Sequence, residues 1–147
     1  MITFTIPGQP VAKGRAIAKR RQGAGGKQYI AMMTPEKTAN YENLVKLAAT
    51  GAMHDLGPSA APIYMTIELR MQIPASWSNR RRALAVAGEI LPTKKPDADN
   101  ILKAIKDGCN GIVWRDDAQV VRIGLGKVYA DQPCAIVTVS ESDRAAA

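Results

Sequence analysis

The chain has 147 residues, with 20 Lys+Arg against 13 Asp+Glu and a single His, giving a formal charge of +7 and a sequence pI near 9.7. At 46% hydrophobic and 22% charged it has a globular composition, and a chain of this length buries roughly two-thirds of its unfolded surface without disulfide or metal staples. Two cysteines, Cys109 and Cys134, exclude a disulfide framework, a CxxC pair and a zinc knuckle, and fit a reducing compartment. With no signal-like start and no apolar run approaching the ~18 residues of a membrane span, the expectation is a cytoplasmic protein, one domain over residues 1–147.

In chain order, Ile2, Phe4 and Ile6 alternate with Thr3 and Thr5, the period of a half-buried strand, and Pro7, Gly8 and Pro10 end it. Residues 13–33 are basic and broken by Gly23, Gly25 and Gly26, which predicts a flexible arm or a long hairpin. Thr34 as cap, Pro35 at the first helical position and Glu36 start a helix, in which Tyr41, Leu44, Val45 and Ala48 hold helical spacing, with Gly51 as its stop. Strict alternation from Ile63 to Ile73 is the clearest strand. Ser78 caps a short helix from Arg80 to Ala87, residues 89–98 form a loop, and Asp99 to Asn110 form a second amphipathic helix with Ile101, Leu102, Ile105 and Cys109 on its buried side. Val120 to Tyr129 and Ala135 to Val139 are strands joined by a turn at Asp131, Gln132 and Pro133. There is no repeat and no regular βαβ alternation, so the fold class is α+β, a small mixed sheet with helices packed on it.

The charge is unevenly spread. Residues 1–35 hold no acidic side chain but six cations, Lys13, Arg15, Lys19, Arg20, Arg21 and Lys27, and a second basic cluster follows at Arg80, Arg81 and Arg82. Residues 97–117 hold five aspartates and three cations, so this window carries −2 and the remainder +9. A basic surface favours polyanions, whereas clustered aspartates repel phosphate unless a divalent cation neutralises them.

The chemistry concentrates in Lys95-Pro96-Asp97-Ala98-Asp99-Asn100-Ile101-Leu102-Lys103, then Asp107, then Trp114-Arg115-Asp116-Asp117. Asp97 and Asp99 in an extended segment point the same way, while Lys103 and Asp107 follow Asp99 by four and eight positions, on the same helical face. Taken alone, Lys103 is a surface lysine paired with Asp99 or Asp107, and Asp107 is read as its helix-face partner. Asp116 and Asp117 precede the Val120 strand, and if that strand lies beside the helix start, a third carboxylate reaches the pair. Three carboxylates with no histidine make an all-oxygen site suited to Mg²⁺ or Mn²⁺. Next to a lysine on a basic protein, such a site predicts phosphodiester hydrolysis by in-line attack of water activated by the metal. The GAGGK run at 23–27 lacks the first glycine and the final Ser/Thr of a P-loop, so no nucleotide cofactor is expected. Trp114 is read as a packing anchor, and Trp77 is a candidate for stacking on a base.

These segments resemble the RusA-type Holliday junction resolvases, including phage-encoded members. The matching pieces are IPGQPVAKGR, TPEKTANYENLV, KPDADNILKAIKDGCNG and WRDDAQVVRI, the last two being the most specific; Ala16 stands where phage relatives often carry proline. The resemblance implies three metal-binding aspartates, Asp97, Asp99 and Asp117, an essential lysine, Lys103, and supporting roles for Asn100 and Asp116. It also implies a homodimer that nicks four-way DNA junctions symmetrically, matching the two-fold axis of protein and junction. The basic arm supplies the candidate DNA contacts Lys13, Arg15, Lys19, Arg20, Arg21 and Lys27. The alternatives are a non-catalytic basic nucleic-acid-binding module whose aspartates only cap and orient elements, and a structure-dependent nuclease acting on flaps or forks.

Overall fold

The computed structural model describes residues 1–146. Its centre is the strand with the strictest alternation, β4 (Ile63–Gln72), whose Ile63, Met65, Ile67, Leu69 and Met71 all point to one face and are buried. β1 (Ile2–Pro7), β5 (Val120–Ala130) and β6 (Cys134–Glu141) complete a four-stranded sheet in the order β1-β6-β4-β5. β6 is antiparallel to both β1 and β4, whereas β5 is parallel to β4, so the sheet is mixed, as expected. A parallel pair needs a crossover, and the chain between β4 and β5 supplies one through α2 (Asn79–Val86) and α3 (Ala98–Cys109).

α3 and the long α1 (Glu36–Met53) cover the apolar face of the sheet. Tyr41, Val45, Ala49 and Met53 of α1 and Ile101, Ala104, Ile105 and Cys109 of α3 meet Phe4, Ile6, Val137, Val139 and the β4 row in a single core that also encloses Trp114. The opposite face is polar and open, with Thr3 and Thr138 hydroxyls in contact at 3.2 Å. The two helices approach so closely at Gly108 that a Cβ there would lie 2.5 Å from Val45 Cγ1 and 3.1 Å from the Glu42 carbonyl oxygen. Glycine at this position is what lets α3 seat against α1.

Two boundaries differ from expectation. Pro35, not Thr34, occupies the cap position of α1 and brings no side-chain cap. The helix also runs through Gly51 to Met53, because Ala49 and Met53 are buried against the core, and that burial outweighs the ~1 kcal/mol helix penalty of glycine. The basic arm is a hairpin, β2 (Ile17–Gln22) paired antiparallel with β3 (Gln28–Met33) in a separate two-stranded sheet. None of its residues belongs to the core. Among the described residues no helix is long and apolar enough to cross a membrane.

Candidate active site

α2 begins as its sequence dictates, with the Ser78 hydroxyl accepting from Arg81 N at 3.2 Å. From its end the chain runs across β5 to α3, and the crossing is pinned by Lys127. The Lys127 ammonium donates to the main-chain oxygens of Lys94 and Pro96, each at 2.9 Å. Lys127 alternates with Leu125 and Tyr129 on the helix-facing side of β5, paired in register with Leu69, so it is an inward-facing lysine on an edge strand. It has no carboxylate partner within ion-pair distance among the described residues. Its charge is satisfied by carbonyls alone, and these belong to the loop that delivers Asp97.

Asp97 is the N-cap residue of α3 in extended conformation, yet its carboxylate makes no capping bond. Asp99 lies in the first turn, and both aspartates are exposed. Lys103, one turn further, is exposed and makes no ion pair among the described residues. The expected Lys103–Asp107 pairing is not formed. Asp107 instead binds the ammonium of Lys13, which also faces Glu42 at 3.7 Å. The Asp107 carboxylate beside it holds the Lys13 ammonium above the usual lysine value. The same segment is fixed by Lys13 N donating to Asn100 O at 2.9 Å and Gly14 N donating to Thr38 Oγ1 at 2.8 Å. Lys13 is therefore the anchored base of the basic arm, with its charge already answered, whereas Arg15, Lys19, Arg20, Arg21 and Lys27 are exposed without an ion pair among the described residues.

The two later aspartates divide their work. Asp116 caps the turn before β5, accepting from Ala118 N at 3.1 Å while Gln119 Oε1 accepts from Asp116 N at 2.8 Å. Gln119 Nε2 ties this turn to Ser59 O and Ala61 O, at 2.8 and 3.0 Å. Asp117 is half-buried and accepts from the indole N–H of the fully buried Trp114 at 2.8 Å.

α3 holds Asp117 away from the pair. Asp97 and Asp99 open the helix, whereas Asp117 accepts from Trp114, which bridges to Asn110 just past the helix end. From Asp99 to Cys109 the helix rises about 15 Å. β5 repeats the separation: its start lies next to Asp117, and Lys127, seven residues on, holds the loop before Asp97. β5 does lie beside α3, but its beginning meets the helix end and not the helix start. Accordingly no three His, Cys, Asp or Glu side chains gather as a metal site among the described residues. The donors have the right chemistry for a hard divalent cation. Mg²⁺ takes one or two carboxylates together with water and substrate phosphate, which is what the exposed Asp97 and Asp99 offer.

Lys127 is the residue of this region that sequence reasoning missed. The available signal was the alternation Leu125, Lys127, Tyr129, which places a lysine where the pattern asks for an apolar side chain.

Against known proteins, the family model described as endodeoxyribonuclease RusA matches residues 7–140. A Bacillus subtilis (strain 168) protein described as "Uncharacterized protein YqaN" is 32% identical over 142 residues, covering 95% of this chain and 96% of that protein. The matched region contains the hairpin, Lys127 and every aspartate discussed above.

Proposed function

The chain belongs to the RusA endodeoxyribonuclease family, and from that footing we propose that it resolves four-way DNA junctions by paired nicks, using a divalent cation, Mg²⁺ or in its place Mn²⁺. The observation that carries the reading is the pair Asp97 and Asp99, both exposed at the start of α3, with Asp97 not used as a cap and Lys103, one turn away, in no ion pair among the described residues. In a purely structural role Asp97 would cap its helix, and Lys103 would pair with Asp99 or Asp107. Neither contact is made, which favours the nuclease over the non-catalytic module.

In this reading Asp97 and Asp99 hold the cation. A bound cation supplies a Lewis acid for the scissile phosphate and lowers the pKa of water. Lys103 neutralises charge that develops on the phosphate oxygens, Lys127 fixes the loop, and Arg15, Lys19, Arg20, Arg21 and Lys27 contact phosphates of the junction arms. Asn100 and Asp116 support the site through backbone placement. Because α3 keeps Asp117 and the pair apart in one chain, a homodimer is the arrangement in which all three carboxylates serve one phosphodiester. Its two-fold axis also matches that of the junction.

The test is nicking of a synthetic four-way junction and of its linear duplex arms, with and without Mg²⁺, by the native chain and by Asp99→Asn. Paired, metal-dependent nicks confined to the junction and absent in the variant are expected. Tight junction binding without cleavage under any divalent metal refutes the nuclease. Mixing Asp99→Asn with Asp117→Asn chains tests the shared site, since random pairing restores about a quarter of intact sites if one site draws on two copies and none if it does not.

A further inference from the structure

We propose that Trp77, Arg81 and Lys94 form a phosphate-binding track along which the DNA strand reaches the Asp97–Asp99 loop. The inference rests on that loop being the cutting site and adds where the flanking backbone lies. Arg81 stacks its guanidinium on Trp77, with Cζ 3.9 Å from the ring centroid. Trp77 in turn meets Tyr129 edge-on, with centroids 5.2 Å apart and planes at 66°. Tyr129 sits two residues beyond Lys127 on the same face of β5, which is about 7 Å along the strand. Lys127 grips Lys94 O and Pro96 O. The stacked arginine, the exposed Lys94 and the carboxylate loop are therefore consecutive stations at one end of β5.

The chemistry of this track selects a polyanion. Neither Arg81 nor Lys94 has a carboxylate partner among the described residues, whereas the neighbouring Arg82 is answered by Asp131 at 3.6 Å. A guanidinium held over an indole is already restricted, so less rotamer freedom is lost when it binds a phosphate. Phosphates recur about every 3.4 Å of axis along each strand of a duplex, so a strand held at the carboxylates passes Lys94 and Arg81 within a few nucleotides. Such contacts position the backbone without reading bases. They sit on the body of the protein and not on the projecting hairpin, and so set the register of the cut.

The two tryptophans make the test specific. Trp114 is fully buried, so Trp77 is the one tryptophan within reach of solvent. Titrating the native chain with a four-way junction in EDTA should shift or quench tryptophan emission, and Trp77→Phe should lose that change while retaining the Trp114 signal that reports folding. The double variant Arg81→Gln, Lys94→Gln should lower the slope of log affinity against log salt by about two, one for each lost phosphate contact. A native chain that binds and nicks junctions, with an unchanged slope in the double variant and no Trp77 response at saturation, overturns this inference and leaves the nuclease reading intact. A native chain that neither binds nor cuts branched DNA takes both down.

Discussion

Replacing Lys127 with methionine keeps the length of the side chain and removes its charge, so it isolates the grip on the loop. Hydrogen bonds from a charged donor contribute about 1.5–3 kcal/mol each. The bond to Lys94 O lies at an exposed residue where water takes over, whereas Pro96 O is partly buried. The expected destabilisation is therefore one such contribution, about 2 kcal/mol. For a domain of this size that lowers Tm by about 4–8 °C, a tolerable fraction of the 5–15 kcal/mol of a typical domain. Activity suffers more, because a displacement of about 1 Å in a catalytic constellation costs about a hundredfold in rate. Differential scanning calorimetry paired with a junction-nicking time course at 25 °C, where the variant remains folded, separates the two effects. A Lys127→Met chain that cuts at the native rate, whatever its Tm, refutes the argument that this lysine positions the carboxylates.

Gly108→Ala tests the seat of α3. The added Cβ meets Val45 Cγ1 at 2.5 Å, and despite the ~1 kcal/mol helix gain of alanine the variant should lose about 1–3 kcal/mol in urea denaturation. A gain in stability would show that the helices part without strain. Burial pushes the Cys109 thiol up to about 12, with the charge of Asp117 adding to the shift. The unfolded thiol titrates near 9.0, so above that pH the unfolded state binds fewer protons than the native state and stability falls as pH rises, by at most about 1.4 kcal/mol per unit for this group. Burial raises Tyr41 in the same sense. Cys109→Ala should therefore show a shallower decline in urea midpoint between pH 9 and 11 than the native chain, and parallel declines would dismiss the thiol as a cause.

Much of the scaffold was legible because its signals are local. The alternation of β4, the Ser78 cap and the amphipathic spacing of α3 each follow from a few neighbouring residues. At Gly51 helix propensity gives way to the burial of Ala49 and Met53, which no local signal reports. The site was legible as residue types and spacing, but not as geometry. Asp107 pairs with Lys13, 94 positions away, in preference to the lysine on its own helix, and no periodicity reports so distant a partner. The convergence expected of Asp117 depended on which end of α3 meets the start of β5, a matter of crossover direction that the local pattern does not encode. Lys127 was hidden because a lone lysine in a strand reads as an outward side chain, until the carbonyls it serves are seen beneath it.

β5 ends the sheet, paired with β4 on one side only, and the outward N–H and C=O groups of such a margin invite strands from other molecules to add on. Over the stretch pinned by Lys127 that invitation is withdrawn. An incoming strand would have to lay its side chains against an inward-facing ammonium whose bonds hold residues 94–96 beside it. One side chain thus gives the chain a steady loop and a sheet that resists knitting to its neighbours at high concentration.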